Sequence, residues 1–328
     1  GLTVTTGQLD NHQGGQLISQ AAMTVTSDGL DNRGGALSSK QAMTLTTGDV
    51  RNGADALQRG GRIHSDAELT LVAGQVDSSD GGEISAKGDL LLRVSALIQR
   101  QGRLIGEQKL DLDLDGGDLT NQGGLISANG PLNIQRLGKL DNNAGEVTSQ
   151  QSFSLLAKRI DNQQGRILSD DRLTVEAAQL DNSAKGLISG VQGLQVLGRD
   201  LNNSGEGTLS SKDGDLSVTL AGTLDNRDQG ALVSKGRQQV TAASLDNRKG
   251  IVSSEQAITL SVGDRLDNSG GLISATGDLT LDQDSTVIDN QGGQINGQAI
   301  SVAGKRLENA KGQLISRAAL DLTLTDAL

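Results

Sequence analysis

The chain has 328 residues, 40 acidic against 29 basic side chains, and a net charge of −11. Hydrophobic residues are 34%, with 45 glycines, one Phe, and no Trp, Tyr or Cys. The charge leaves no basic footprint for nucleic acid or anionic lipid, and the absence of cysteine excludes disulfides, thiolate zinc sites and cysteine nucleophiles. A compact globule of this length would bury several aromatic residues, and no apolar run reaches the ~18 residues that a transmembrane helix requires.

From its first coil the chain repeats itself. Leu9-Asp10-Asn11 returns, with substitutions, at Leu30, Val50, Val76, Leu97, Leu119, Leu140, Ile160, Leu180, Leu201, Leu224, Leu245, Leu266, Ile288 and Leu307, and Leu328 opens one more, roughly 21 residues apart throughout. Low hydrophobicity alone would suggest disorder, but a disordered chain has no use for such a register. After each triplet comes a Gly-rich turn and a short apolar run ending in a small residue, as in "GGLIS". Then follows strict alternation, as in Met43-Thr44-Leu45, Leu279-Thr280-Leu281 and Leu320-Asp321-Leu322-Thr323-Leu324. Period two with Thr and Val predicts strand, and Gly, Asn and Asp between the runs predict turns.

Short strands at a constant period pair most simply with their own copies one repeat away. The expected fold is all-β: a right-handed parallel β-helix, or solenoid, of about fifteen coils of about 21 residues. Coils would stack at about 4.8 Å. Residues 1–328 are expected to form a single repeat domain, with irregular coils at 50–105. The chain begins with Gly1 and ends inside a phrase, so it is expected to be a fragment of a larger chain. A lone coil would not hold. It buries perhaps six apolar side chains at roughly 1.5–3 kcal/mol each, against roughly 20–40 kcal/mol to order its backbone.

Read as columns, the repeats predict a ladder. The third triplet residue is Asn in thirteen of fifteen coils: Asn11, Asn32, Asn52, Asn121, Asn142, Asn162, Asn182, Asn203, Asn226, Asn247, Asn268, Asn290 and Asn309, with Ser78 and Gln99 as exceptions. Leu and Asn two apart share a face. Stacked Asn side chains can hydrogen-bond along the stack, and Asn tolerates the left-handed conformation of a tight corner. The residue between them is acidic in eleven of fifteen coils and should face outward, as an Asx turn or as a shelf for cations. The small residue closing the second run reads as Ser in thirteen coils, Ser19, Ser39, Ser65 and Ser85 among them, with Gly106 and Asn296 as exceptions. Which of the two apolar columns before it faces inward stays open.

No chemistry is expected of these columns. A serine nucleophile needs a base in reach, and the chain has only His12 and His64, 52 residues apart and without metal-ligand spacing. No catalytic, metal or cofactor residues are assigned, no cofactor is expected, and sugar-stacking aromatics are absent apart from Phe153 in a core-type column. The rhythm breaks most between 50 and 99. The coil from Val50 runs 26 residues to Val76, and "GADALQR" at 53–59 reads as an extra loop. Arg51, Asp55, Arg59, Arg62, Arg100 and Arg103 fall near this break and form the candidate binding patch, since an insertion on a rigid scaffold is where a site can be grafted.

Over essentially the whole chain, the phrase "LDNxGGxLISxxxxLTLTxGxLDN" resembles the haemagglutinin repeat of filamentous haemagglutinin-type exoproteins, most closely at 9–46, 119–190 and 224–281. The resemblance implies a right-handed β-helix in a secreted filament on a Gram-negative cell surface, exported by the two-partner route through an outer-membrane transporter. A cysteine-free chain suits passage through an oxidising periplasm. The family includes adhesins and contact-dependent growth inhibition effectors. The expected role is a structural shaft that displays a binding or toxin-bearing region, the receptor on a host or neighbouring bacterial cell being met by other parts of the chain. The alternative is an adhesive module that binds a receptor or glycan through the flank near 50–105. No nucleic acid partner and no membrane insertion are expected. The family's Asn-Pro-Asn-Gly secretion motif and Val-Glu-Asn-Asn toxin junction do not occur, and the only proline is Pro131.

Overall fold

A computed structural model describes residues 1–326, and the anchor position Leu328 lies outside the described residues. Among the described residues all thirty-eight regular elements are strands. The chain is a parallel β-solenoid of about fifteen coils, roughly 21 residues apart. Two compact units can be distinguished. One comprises Gly1–Asp161 with Gly165–Ile167, and the other Asn162–Gln164 with the residues from Leu168 onward.

Each coil gives one four-residue strand to a first sheet, such as Leu125–Ala128 or Leu272–Ala275. To a second sheet it gives either one long strand, such as Met23–Asp31 or Ile258–Asp267, or two short ones, such as Met43–Thr46 and Asp49–Arg51. Within each unit, strands pair in parallel with their copies one coil away. In the first unit Leu2, Val4 and Leu9 lie opposite Met23, Val25 and Leu30. In the second, Val240 and Leu245 lie opposite Leu260 and Leu266. Alternation then does the sorting: Met23 and Val25 are buried while Thr24 and Thr26 face water, because successive side chains of a strand point to opposite faces.

The four-residue strand settles the open question of the apolar columns. Its second position runs Leu17, Leu37, Ile63, Ile84, Leu104, Ile126, Val147, Ile167, Ile188, Leu209, Leu232, Val252, Ile273, Ile295 and Leu314, apolar in every coil and facing inward. The first and third positions face outward, so Glu83, His64 and Thr148 cost the core nothing. The register also corrects the serine column. Ser85 lies opposite His64 in the outward column, while Ala86 lies opposite Ser65. Likewise Asn296 lies opposite Ser274 and Ile315, and Gly297 lies opposite Ser316. The inward small residue is therefore a mixture of Ser, Ala and Gly. A reading displaced by one residue puts a side chain on the wrong face. Where Ser occupies the position it caps the turn: Ser254 Oγ donates to Gly236 O at 2.7 Å and accepts from the Gln256 amide at 2.9 Å.

The corner after the Asn sets the small variations in coil length. The Asn residues are not the left-handed ones; that conformation falls two residues later, at Gln13, Gly34, Asp80, Gln101, Ala144, Lys249 and their counterparts. Coils with two consecutive left-handed residues, such as Asp80–Gly81, Ala184–Lys185 and Asp228–Gln229, have one extra residue before the inward small position. The glycine that follows has a different reason. A Cβ at Gly271 would collide with the carbonyl oxygen of Asn247 in the preceding coil and with the Asn268 side chain. Close approach of successive corners thus requires glycine there.

One inward position breaks the pattern. Gln238 is 1% exposed, lies between Leu216 and Ile258 in an apolar column, and finds no hydrogen-bond partner for either end of its amide. A buried amide without partners costs roughly 1–3 kcal/mol. Gln238→Leu is expected to stabilise the second unit by about that amount, read as a higher denaturant midpoint at unchanged slope. An unaltered or lower midpoint would show that the amide is satisfied in solution.

Candidate functional site: the corner ladder and the irregular coils

The geometry that recurs from coil to coil sits at the corner where the triplet ends. In the first unit Asn11 Nδ2 donates to Asn32 Oδ1 at 2.8 Å, and Asn32 to Asn52 Oδ1 at 2.7 Å. Asn52 donates to Ser78 Oγ at 3.0 Å. Gln99 Nε2 then donates to Asn121 Oδ1 at 3.0 Å, and Asn121 to Asn142 Oδ1 at 2.7 Å. In the second unit the chain of amides runs through Asn162, Asn182, Asn203, Asn226, Asn247, Asn268, Asn290 and Asn309 at 2.7–2.8 Å. From Asn11 to Asn290 the amide nitrogen also reaches the carbonyl that opens the next coil's short strand, as Asn226 Nδ2 reaches Ile251 O at 3.1 Å. At most corners it further reaches the glycine carbonyl of its own turn, as in Asn226 to Gly230 O at 3.1 Å. Where Ser78 and Gln99 interrupt the Asn column, Gln99 Oε1 is buried without a partner.

The acidic row beside the ladder faces outward and is occupied by other groups. Its carboxylates accept the backbone N–H two residues on, as Asp225 from Arg227, Asp246 from Arg248 and Asp289 from Gln291, each at 3.2 Å. These are Asx turns. Cations flank the row as well: Arg33 lies 2.6 Å from Asp31, Arg248 lies 2.6 Å from Asp246, and Arg265 bridges Asp267 and Asp289 at 3.0 and 3.2 Å. The Arg33 guanidinium holds the Asp31 carboxyl below the usual range. Burial pushes Asp225 the other way. At Asp267 burial acts upward, but hydrogen bonds from Ser269 and Arg265 together outweigh it and the carboxyl is lowered. In the first unit, Asp10, His12 and Asp31 bring ligand atoms within 4.8 Å of one another. Spacing along the chain does not show this trio, because stacking supplies its third member.

The irregular coil carries an ordered loop. Ala54 and Gly60 form an antiparallel bridge, and Gln58 takes a left-handed conformation at the tip beside the exposed Leu57. Asp55, buried, holds the loop together. Its carboxylate accepts the Leu57 and Arg59 amides at 2.9 and 3.0 Å and the Arg59 guanidinium at 2.8 and 2.6 Å. Those contacts, the Arg59 side chain foremost, lower its pKa. The six residues of the candidate patch are spread apart. Asp55 and Arg59 are consumed in bracing the loop. Arg62 and Arg103 stand on the outer face of the four-residue strands, where Arg62 meets Glu83 at 3.5 Å. Arg100 donates to Gln122 at 3.1 Å on a corner. Only Arg51 lines a groove of about 420 Å³, with Arg33, Asp49, Gln75, Asp77 and Asp80.

His64 is the centre of a network that its place in a strand did not announce. Its Nδ1 lies 2.8 Å from Ser85 Oγ and its Nε2 lies 3.1 Å from Asp66. Lys40 and Lys87 close on the same carboxylate at 2.6 and 2.8 Å. Hydrogen bonds from Lys40, Lys87 and His64 hold Asp66 far below the ordinary carboxylate range. The constellation has the members of a Ser-His-acid triad, but their bonds are committed to other partners as well. Ser85 Oγ donates to Glu83 at 2.9 Å, so the hydroxyl proton has an acceptor other than the imidazole. Ser85 is 6% exposed, and two lysines neutralise the carboxylate that would stabilise an imidazolium. Its evident work is to tie three coils together beside the insertion.

The model of the haemagglutinin repeat family matches residues 1–57, 45–113, 106–177, 138–228, 213–270, 233–292 and 270–328, tiling the chain. Neither the comparison with curated proteins nor that with solved structures returned a match.

Two outcomes test the roles drawn from this geometry. Replacing Asn247 and Asn268 together by Leu should lower the stability of the coils around them, because carbonyls such as Leu272 O and Gln294 O lose their donors, at roughly 1–3 kcal/mol for each group left unpaired. Unchanged thermal unfolding would remove the ladder from the account of stability. For the loop, the stabilisation tied to ionised Asp55 is present above the ordinary Asp pKa and is lost as pH falls through its lowered folded value. Asp55→Asn should therefore let trypsin cut after Arg59 faster at neutral pH, whereas the parent loop should open only in strong acid.

Proposed function

Since the chain belongs to the haemagglutinin-repeat family, whose repeats build adhesin-like shafts of secreted or cell-surface proteins rather than enzymes, we propose that residues 1–328 act as one shaft domain of a filament on a Gram-negative cell surface. In this reading the chain leaves the cell by two-partner secretion through an outer-membrane transporter. It holds a binding or toxin-bearing region of the full protein away from the cell, for adhesion or contact-dependent inhibition. The receptor on a host or neighbouring bacterial cell is met by other parts of the chain.

The observation that carries the proposal is the uniformity of the inward columns. The second position of the short strand is apolar in all fifteen coils, and the amide-and-glycine corner recurs through both units. A repeat selected for stacking alone needs those positions and no others. A second reading has one observation in its favour. Arg51 is the one basic residue in the mostly acidic row, between Asp31 and Asp77, makes no ion pair among the described residues, and lines the groove beside the braced loop. An adhesive surface on this flank would use that guanidinium.

Deletion separates the two readings. Removing Leu224–Arg265 takes out two coils and joins Thr223 to Leu266, which stands in the same column as Leu224 and Leu245. The shortened chain is expected to fold with cooperative melting and to lose about 10 Å of reach, at roughly 4.8 Å per coil. The full-length protein carrying the deletion should keep its cell attachment. Removing residues 224–275 instead joins Thr223 to Thr276, out of register, and should disrupt the adjoining coils. If the in-register deletion unfolds the chain, the shaft reading fails. If Arg51→Glu abolishes attachment while the filament is displayed at parental level, the adhesive reading replaces it.

A further inference from the structure

The first two corners of the first unit differ from the rest in what they project. Asp10 and Asp31 are register partners in the acidic row, one coil apart. Between Asp10 and His12 lies Asn11, turned inward and fixed by hydrogen bonds to Gly15 O, Asn32 Oδ1 and Ala36 O at 3.2, 2.8 and 3.1 Å. Since alternate side chains point to opposite faces, anchoring Asn11 sends Asp10 and His12 outward together. One ligand atom from each of Asp10, His12 and Asp31 then falls within a span of 4.8 Å, and no other trio of such groups among the described residues does so. Elsewhere in the unit the place of His12 holds Arg33, Gly53, Ser79, Arg100, Gln122 and Asn143, none of which offers an imidazole.

We propose that Asp10, His12 and Asp31 form a binding site for a divalent first-row transition ion, with Zn(II) as the representative, that ties the first coil to the second. The donor set selects the ion class. One imidazole with two carboxylates suits Zn(II), Co(II) or Ni(II), whereas Ca(II) takes six or more oxygen donors. Asp10 and His12 are exposed, so water completes the coordination. Among the described residues neither side chain is engaged in a hydrogen bond or ion pair, and both are free to turn toward a metal. Asp31 is engaged: the Arg33 backbone N–H and Nε donate to its Oδ1 at 3.2 and 3.0 Å, and Nη2 to its Oδ2 at 2.6 Å. A carboxylate has about four lone-pair sites, so one remains for a metal beside the fork. The guanidinium charge opposes the incoming cation, however, and Arg33 is thereby the residue that limits affinity. An ion held by both coils binds the stacked state and not the unfolded one, so it raises stability by mass action.

Calorimetric titration of the untagged chain with Zn(II), and of the Co(II) form by its visible absorption, tests the site. One ion per chain is expected, with a higher melting temperature on adding Zn(II). His12→Gln and Asp10→Asn should each weaken binding by at least about tenfold and abolish the thermal shift, while melting like the parent without metal. Arg33→Gln should tighten binding, because it removes the competing charge and keeps Asp31. A His12→Gln variant that binds as the parent does would mean adventitious surface binding and overturn the proposal. So would an Asp31→Asn variant that binds as tightly as the parent, since Asp31 would then not be a ligand.

Discussion

Everything in this molecule depends on one coil lying on the next. A coil of about 21 residues has no closed set of hydrogen bonds of its own; its strand amides and carbonyls point along the stack. The strand ladders satisfy most of them, and the corner satisfies the rest. There the Asn amide bonds to its counterpart, to the carbonyl that opens the next short strand, and to its own turn. Leaving backbone groups unpaired in a buried corner is costly, so the corner is the least negotiable part of the repeat. The glycine beside it follows from the same constraint, since only a residue without Cβ lets the Asn carbonyl of the preceding coil approach.

With the interior committed in this way, variation is confined to what faces outward and to the turn. Outward positions accept Thr, Gln, Arg or His without consequence for the core. The turn accepts one or two left-handed residues and, once, an eight-residue excursion at 53–60. That excursion is braced by Asp55 and bordered by the His64, Asp66, Lys40 and Lys87 network. Local charge networks of this kind compensate for a change in coil length without disturbing the inward columns. A solenoid can therefore acquire a site without altering its fold, and both the Arg51 groove and the Asp10, His12 and Asp31 trio lie in the first unit, on outward positions.

Defects in the columns show how much tolerance the stack has. Ser78 is too short and Gln99 too long to continue the amide ladder with ideal spacing, and Gln99 is left with an unpaired oxygen. Gln238 places a whole amide in an apolar column. Each such fault is local because a coil contacts only its neighbours. In a compact globule the same faults would weigh on a single cooperative core.

The sequence by itself determined the period, the strand character and the identity of the stacking residues. Leu30, at the end of a strand, and Asn32, two residues on at the corner, face the same way, and both are buried. A repeat that cannot stand alone must stack on its copy. The sequence left undecided everything that turns on a shift of one residue or on a neighbour one coil away. Ser85 and Ser65 look equivalent when aligned by type, yet one faces out and the other in, because turns with one or two left-handed residues displace the following strand. His64 met Ser85, Asp66 met Lys40 and Lys87, and His12 met Asp31, only when parallel pairing set residues about 20 to 26 positions apart side by side. Periodicity fixes which face a residue takes. Only the stacked structure, through its register and turn lengths, decides which side chains share that face within bonding distance.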